Sequence, residues 1–167
     1  MEGRPPFEDL VRPHLETAFR VAYLITHNAA DAEDATQDAL VKAWRAFGRF
    51  RPDAPMRPWF LQIVANEARN RRRSAGRRER LALLVEASSG GAAPSPEDEI
   101  VRADERARLL AALDELPDAH RNVLACRHLL GLSEEETAAA LDVPHGTVKS
   151  RTARALDKLK EAYEPRA

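Results

Sequence analysis

The sequence predicts an all-α protein: two small helical domains joined by a flexible linker, the second a helix-turn-helix domain. Three observations carry this expectation. Only 5% of the 167 residues are aromatic and seven are glycine, while Ala, Leu, Glu and Arg abound, so long strands are poorly supplied and helices well supplied. Apolar residues recur at helical spacing except between Glu86 and Pro96, where EASSGGAAPSP has the Gly, Ser, Ala and Pro content of a linker. Finally, residues 132–160 read LSEEETAAALDVPHGTVKSRTARALDKLK, two helical patterns across a tight turn, as a DNA-reading helix-turn-helix requires.

Each element has its own reason. Helices are predicted over residues 7–26, 31–47 and 58–74, with a shorter one over 77–85. Beyond the linker they are predicted over 97–115 and 117–130, followed by the two of the motif. The domains are therefore placed at 1–85 and 97–167, with the linker at 86–96. In the motif, Ser133 and Glu136 have the spacing of a capping box that fixes the first helix start. Ala138 and Leu141 supply its apolar stripe, and Asp142-Val143-Pro144 breaks it. Val148, Ala155, Leu156 and Leu159 then return at helical spacing and are expected to face inward.

Composition narrows the function. The content is 44% hydrophobic and 32% charged, with a net charge of -1, which fits a soluble globular chain rather than a free-standing DNA binder with a basic excess. The charge is segregated: Arg69, Arg71, Arg72, Arg73, Arg77, Arg78 and Arg80 crowd one segment, and Asp31, Glu33, Asp34 and Asp38 another. Two partners of opposite sign, or merely solvated helix faces, would account for this. Cys126 has no partner for an internal disulfide, and the five histidines show no metal or nucleophile–base spacing. No metal, no cofactor, no small-molecule substrate and no enzymatic activity are expected. The N-terminal MEGRPPFEDL has no apolar signal-like stretch, so no membrane insertion and a cytoplasmic location are expected.

Three groups of residues are candidates for binding. In the predicted second helix, Ala35, Ala39, Leu40, Ala43 and Phe47 form a core stripe, while Asp34, Gln37, Asp38 and Val41 stand at i, i+3, i+4, i+7 on another face. An acidic, partly apolar face suits a basic helical partner, with simple solvation as the competing reading. In the third helix Trp59, Phe60, Ile63 and Val64 can pack inward, and Gln62, Asn66, Arg69, Asn70 and Arg73 fall along one polar edge. Amides can pair with base edges and arginines with phosphates. The preceding loop, 47–53, interleaves aromatics with arginines, as a single-strand site does. In the last helix His145, Thr147, Lys149, Ser150, Arg151 and Arg154 can donate to phosphates or base edges, unless they are only the basic face of an ordinary helical hairpin.

These segments together resemble bacterial sigma factors of the extracytoplasmic-function group, two-domain type, over nearly the whole chain. Phe7-Glu8-Asp9-Leu10 and Asp31-Ala32-Glu33-Asp34-Ala35-Thr36-Gln37-Asp38 running into Ala43-Trp44 resemble that family's core-binding region. Phe50-Arg51, then Trp59, Ile63, Ala65-Asn66 and the arginine run resemble its −10 element region. Leu113-Asp114-Glu115-Leu116-Pro117, Gly131-Leu132-Ser133 and Gly146-Thr147-Val148-Lys149-Ser150-Arg151 resemble its −35 domain. The resemblance implies a factor that binds the RNA polymerase core, meeting the coiled coil of its largest subunit with the acidic face. It implies recognition and melting of the −10 promoter DNA by the same domain, −35 reading by the second, and control by an anti-sigma protein. A sigma-like decoy that binds only an anti-sigma protein, or a stand-alone helix-turn-helix regulator, would explain less of the chain. The sequence departs from the family at Asp142, where glycine is usual, at Thr152, where a large aliphatic residue is usual, and in the stiffening Pro55 and Pro58.

Overall fold

The computed structural model describes residues 5–74 and 96–164, without the side chains of 74 and 96–102. The expected helix over 77–85, the linker and Arg77, Arg78 and Arg80 lie outside the described residues. All regular elements among those described are helical. In order they are α1 (Phe7–Val11), α2 (Leu15–Thr26), α3 (Ala29–Ala46), α4 (Met56–Ser74), α5 (Pro96–Glu115), α6 (Asp118–Leu124), α7 (Glu134–Leu141) and α8 (His145–Tyr163). Short 3₁₀ turns lie at Arg12–His14 and Phe47–Arg49, and a π turn at Ala125–Leu129.

The helix expected over 7–26 is broken into α1, a 3₁₀ turn and α2. Pro13 explains the break, since it has no N–H to donate to the carbonyl four residues back. Asn28 caps α3 by accepting from the Asp31 N–H at 3.0 Å. Helix α4 begins at Met56, before the expected start, because Pro58 falls in the first turn, where N–H groups have no intrahelical partner. Helices α2, α3 and α4 pack mutually. Their shared core holds Val21, Leu24, Phe60, Leu61, Val64 and the alanines 32, 35, 39, 43, 65 and 68. Small residues along α3 let the helices approach closely, and Lys42 to Glu67 at 2.6 Å ties α3 to α4 at the rim.

The second unit is built on α8, against which α5, α6 and α7 pack. The capping box forms as expected: the Glu136 N–H donates to Ser133 Oγ at 3.0 Å and the Ser133 N–H to the Glu136 carboxylate at 2.8 Å. Asp142 ends α7 in the left-handed conformation, at φ 56° and ψ 51°. That is the position where the family usually has glycine, and a non-glycine residue bears a cost there. The π turn widens the end of α6, with the Leu130 N–H donating to the Ala125 carbonyl at 2.9 Å. Gly131, at φ 61°, then turns the chain towards α7. Val148 and Ala155 are buried as expected, but Leu156 is 43% exposed. At about 100° per residue Leu156 lies roughly 80–100° round α8 from the buried Val148–Ala155 line, at the edge of the packed arc, and its side chain is partly turned to solvent.

Candidate functional site

Asp34, Gln37, Asp38 and Val41 form one exposed face of α3, opposite its buried alanines. The structure adds two features. Val41 is 48% exposed, and Trp44, one turn on, is 62% exposed, so the acidic face runs into an apolar patch. Trp44 belongs to the stretch that resembles a core-binding region, and its exposure adds a large aromatic to that face. The second feature is Arg71 of α4, which donates to Asp34 at 2.9 Å and to Asp38 at 2.7 Å. The hydrogen bond to Asp38, ahead of a smaller opposing desolvation, raises the Arg71 pKa above its ordinary value. The two acids are thus held side by side by an internal cation.

On α4, Gln62, Asn66, Asn70 and Arg73 are exposed along one edge, as expected. Arg69 is different. It donates to Asn66 Oδ1 at 2.6 Å and to the carbonyls of Ala139 and Ala140, at the end of α7. Burial, the largest cause, lowers its pKa; nearby Asp142 opposes and Arg73 reinforces that shift. The aromatic residues before α4 do not form a stacking platform for bases. Phe50 is buried, its ring 4.6 Å from that of Trp59 and 6.2 Å from that of Phe47, which in turn meets Phe7 at 5.3 Å. In a chain with few aromatics these rings are drawn into the core, and Arg51 pairs with Asp53 at 3.0 Å beside them.

The candidates on α8 divide between two sides of the helix. Thr147, Ser150, Arg151 and Arg154 lie on one arc, whereas Arg151 and Lys149 are about 160° apart around the axis at 3.6 residues per turn. His145 is on the Lys149 side, with Nε2 3.8 Å from Glu134 of α7. Ser150 turns its hydroxyl proton back to the carbonyls of Gly146 at 3.4 Å and Thr147 at 3.2 Å, so in this rotamer it presents lone pairs, not a donor. His120 of α6 adjoins the Arg151 arc. Its pKa is lowered first by desolvation and then by Lys158, Arg151 and Arg154, which marks this side as strongly positive.

Cys126 is fully buried, and burial pushes its thiol up to about 12, so it carries no reactive thiolate at neutral pH. Among the described residues no group of three or more His, Cys, Asp or Glu could hold a metal, and no helix is long and apolar enough to cross a membrane.

A helical domain with an acidic and an amide–arginine surface, beside a second domain carrying a helix-turn-helix, defines the class of protein. The sigma-70 region 2 family matches residues 10–78, and the sigma-70 region 4 family residues 112–161. The RNA polymerase sigma-H factor of Pseudomonas aeruginosa is 32% identical, over 95% of this chain and 86% of the relative. The extracytoplasmic-function RNA polymerase sigma-E factor of Escherichia coli is 34% identical, over 87% of this chain and 82% of its own length. The fold is also that of the sigma factor RpoE of Bartonella quintana, solved with the anti-sigma factor NepR, with a TM-score of 0.63 and 24% identity over 96% of this chain and 98% of that one. The chain belongs to the extracytoplasmic-function group of the sigma-70 family of RNA polymerase sigma factors.

Proposed function

We propose that this chain binds the RNA polymerase core and directs promoter-specific initiation, with three surfaces in separate roles. The α3 face of Asp34, Gln37, Asp38 and Val41, extended by Trp44, meets the basic coiled coil of the largest subunit. The edge of Gln62, Asn66, Arg69, Asn70 and Arg73 captures an unstacked −10 base and holds its strand. His145, Thr147, Lys149, Ser150, Arg151 and Arg154 engage the −35 duplex. The domains divide at 1–85 and 97–167 about the linker 86–96. An anti-sigma protein that covers these faces supplies control, and the factor works in the cytoplasm without cofactor or covalent chemistry of its own.

The observation that carries this reading is the pairing of opposite surfaces on adjacent helices. Acids and exposed apolar groups stand on α3, and amides and arginines on α4. Run-off transcription with core polymerase on a promoter library tests it, with promoter-specific transcripts as the expected result. Binding to an anti-sigma protein, with no promoter binding and no transcript, would favour the decoy reading instead.

Within that assay Asn66→Ala should lose about 1–3 kcal/mol of base capture, since the captured base is left with unmet hydrogen-bonding groups. The deficit should appear on duplex templates and largely vanish on templates mismatched and melted at −10. Wild-type activity on both would make Asn66 a plain surface residue. We assign Arg151 to base edges and Lys149 to phosphate, and their separation around α8 supports different roles for the two. Arg151→Ala should cost about 1–3 kcal/mol and relax one −35 position, whereas Lys149→Ala weakens all sequences and flattens the salt dependence. An unchanged −35 preference in Arg151→Ala would contradict the assignment.

A further inference from the structure

We propose that His120 of α6, with Arg154 and Lys158 of α8, forms a proton-linked phosphate site at the rim of the −35 reading surface. This rests on the −35 role given above to α8. A reading helix meets base edges with its N-terminal residues. At 1.5 Å per residue Lys158 stands about 20 Å along α8 from His145, well past a major-groove depth of about 8.5 Å. The later turns are therefore offered backbone, not bases. Arg151, Arg154 and Lys158 stand at i, i+3 and i+7, so they share one side of α8, and none of the three makes an ion pair among the described residues. Arg154 and Lys158 are exposed. Unpaired cations on one line suit a phosphate backbone, whose charge they neutralise as counterions leave.

His120 makes the site responsive to protons. Helix α6 packs against α8 and sets the half-buried imidazole beside this line of cations. Its Nδ1 is covered and has no partner, which leaves Nε2 to meet a ligand. Of the other charged groups near α6, Arg121 pairs with Asp118 and with Asp114 of α5. Arg127 of the π turn donates to the Leu132 carbonyl, and in α7 Glu134 faces His145 while Glu136 caps Ser133. The charges that act on His120 are thus cationic: burial first, then Lys158, Arg151 and Arg154, hold its pKa below the ordinary histidine value. The free chain therefore carries it neutral at neutral pH. A phosphate laid across Arg154 and Lys158 offsets that repulsion and favours the imidazolium, whose Nε2–H donates to it; the proton comes from solvent. The covered Nδ1–H of that ion finds no acceptor, which keeps the uptake below one proton. Because the complex holds more protons than the free chain, affinity rises as pH falls, with about tenfold per pH unit as the ceiling for one proton. Phosphates carry no sequence information, so acid raises promoter occupancy without changing promoter choice.

The test begins with NMR titration of the full chain, alone and with a saturating −35 duplex, its five histidines assigned by single glutamine substitutions. His120 should titrate below the ordinary histidine range in the free chain and higher in the complex; a pKa that does not rise on binding would overturn the proposal. Lys158→Ala should raise the free-state pKa of His120 and lower the salt slope of duplex binding by about one, and an unchanged slope would take Lys158 off the phosphate and count against the site. Holoenzyme affinity for a promoter fragment is then followed from about pH 8 to about pH 6, with thermal melts to check the fold at each pH. Wild type should gain severalfold more affinity than His120→Gln, and the same gain should be seen with a scrambled −35 sequence. A response kept in His120→Gln and lost in His145→Gln would assign the proton to His145, and a −35 preference that changes with pH would place it in base reading; either overturns the proposal. If no −35 preference exists at any pH, the −35 reading itself fails. If the preference stands while His120 does not respond, the phosphate site alone falls.

Discussion

Asp34→Lys combined with Asp38→Lys should raise the dissociation constant for core polymerase by at least about a hundredfold, while the chain stays folded. Both acids are exposed on α3, so their replacement removes no buried contact. Putting like charges against a basic partner costs several kcal/mol at an interface, and each 1.4 kcal/mol is about a factor of ten in affinity. Arg71 complicates the result in a useful way. In the native chain it bridges the two acids at 2.9 and 2.7 Å; in the double variant it is repelled by both lysines. Ion pairs this exposed contribute about 0–1 kcal/mol each to stability, too little to unfold the domain. Arg71→Ala supplies the control: it leaves both carboxylates in place and should keep core affinity within a few fold of wild type. Wild-type assembly by the double lysine variant would remove this face as the polymerase contact.

Much of the fold was legible because its local signals agree with its packing. Ser133 and Glu136 announce a capping box that forms, and Ala35, Ala39 and Ala43 at helical spacing become the buried line of α3. Pro13 was in plain view, yet the apolar periodicity on either side of it hid the 3₁₀ turn at Arg12–His14. The aromatic and arginine mixture of 47–53 resembles a base-stacking loop, but side-chain direction decides that question, and Phe50 points inward. Leu156 fits a helical period and still faces solvent, since a period fixes spacing and not which arc meets a neighbour. The least legible feature was the partnering of arginines. Arg69 and Arg71, two residues apart on α4, leave the helix in different directions, one to α7 carbonyls and the other to α3 carboxylates. Nothing in an arginine run tells these two destinations from a phosphate.

Phe60→Ala should be the most destabilising single change in the first domain, at about 3–5 kcal/mol. Phe60 has no exposed surface and is the largest fully buried side chain among the described residues. It lies on α4, which packs against both α2 and α3, so the cavity would open where three helices meet and no exposed loop could collapse into it. A small domain has little stability in reserve, since whole proteins of ordinary size hold about 5–15 kcal/mol. Helix α4 also carries the proposed strand-binding edge on its other side, and α3 the proposed polymerase face, so both activities should fail together on heating. The chain supplies its own reporter: its two tryptophans, Trp44 and Trp59, both lie in the first domain. In urea, tryptophan fluorescence of Phe60→Ala should shift to a much lower midpoint, while far-UV circular dichroism keeps a later step from the helices of the second domain. Phe60→Leu, which retains most of the apolar volume, should lose distinctly less. A fluorescence midpoint that corresponds to under about 1 kcal/mol of loss in Phe60→Ala would mean that the α2–α3–α4 junction repacks freely, and Phe60 would not then be what holds the two binding faces in register.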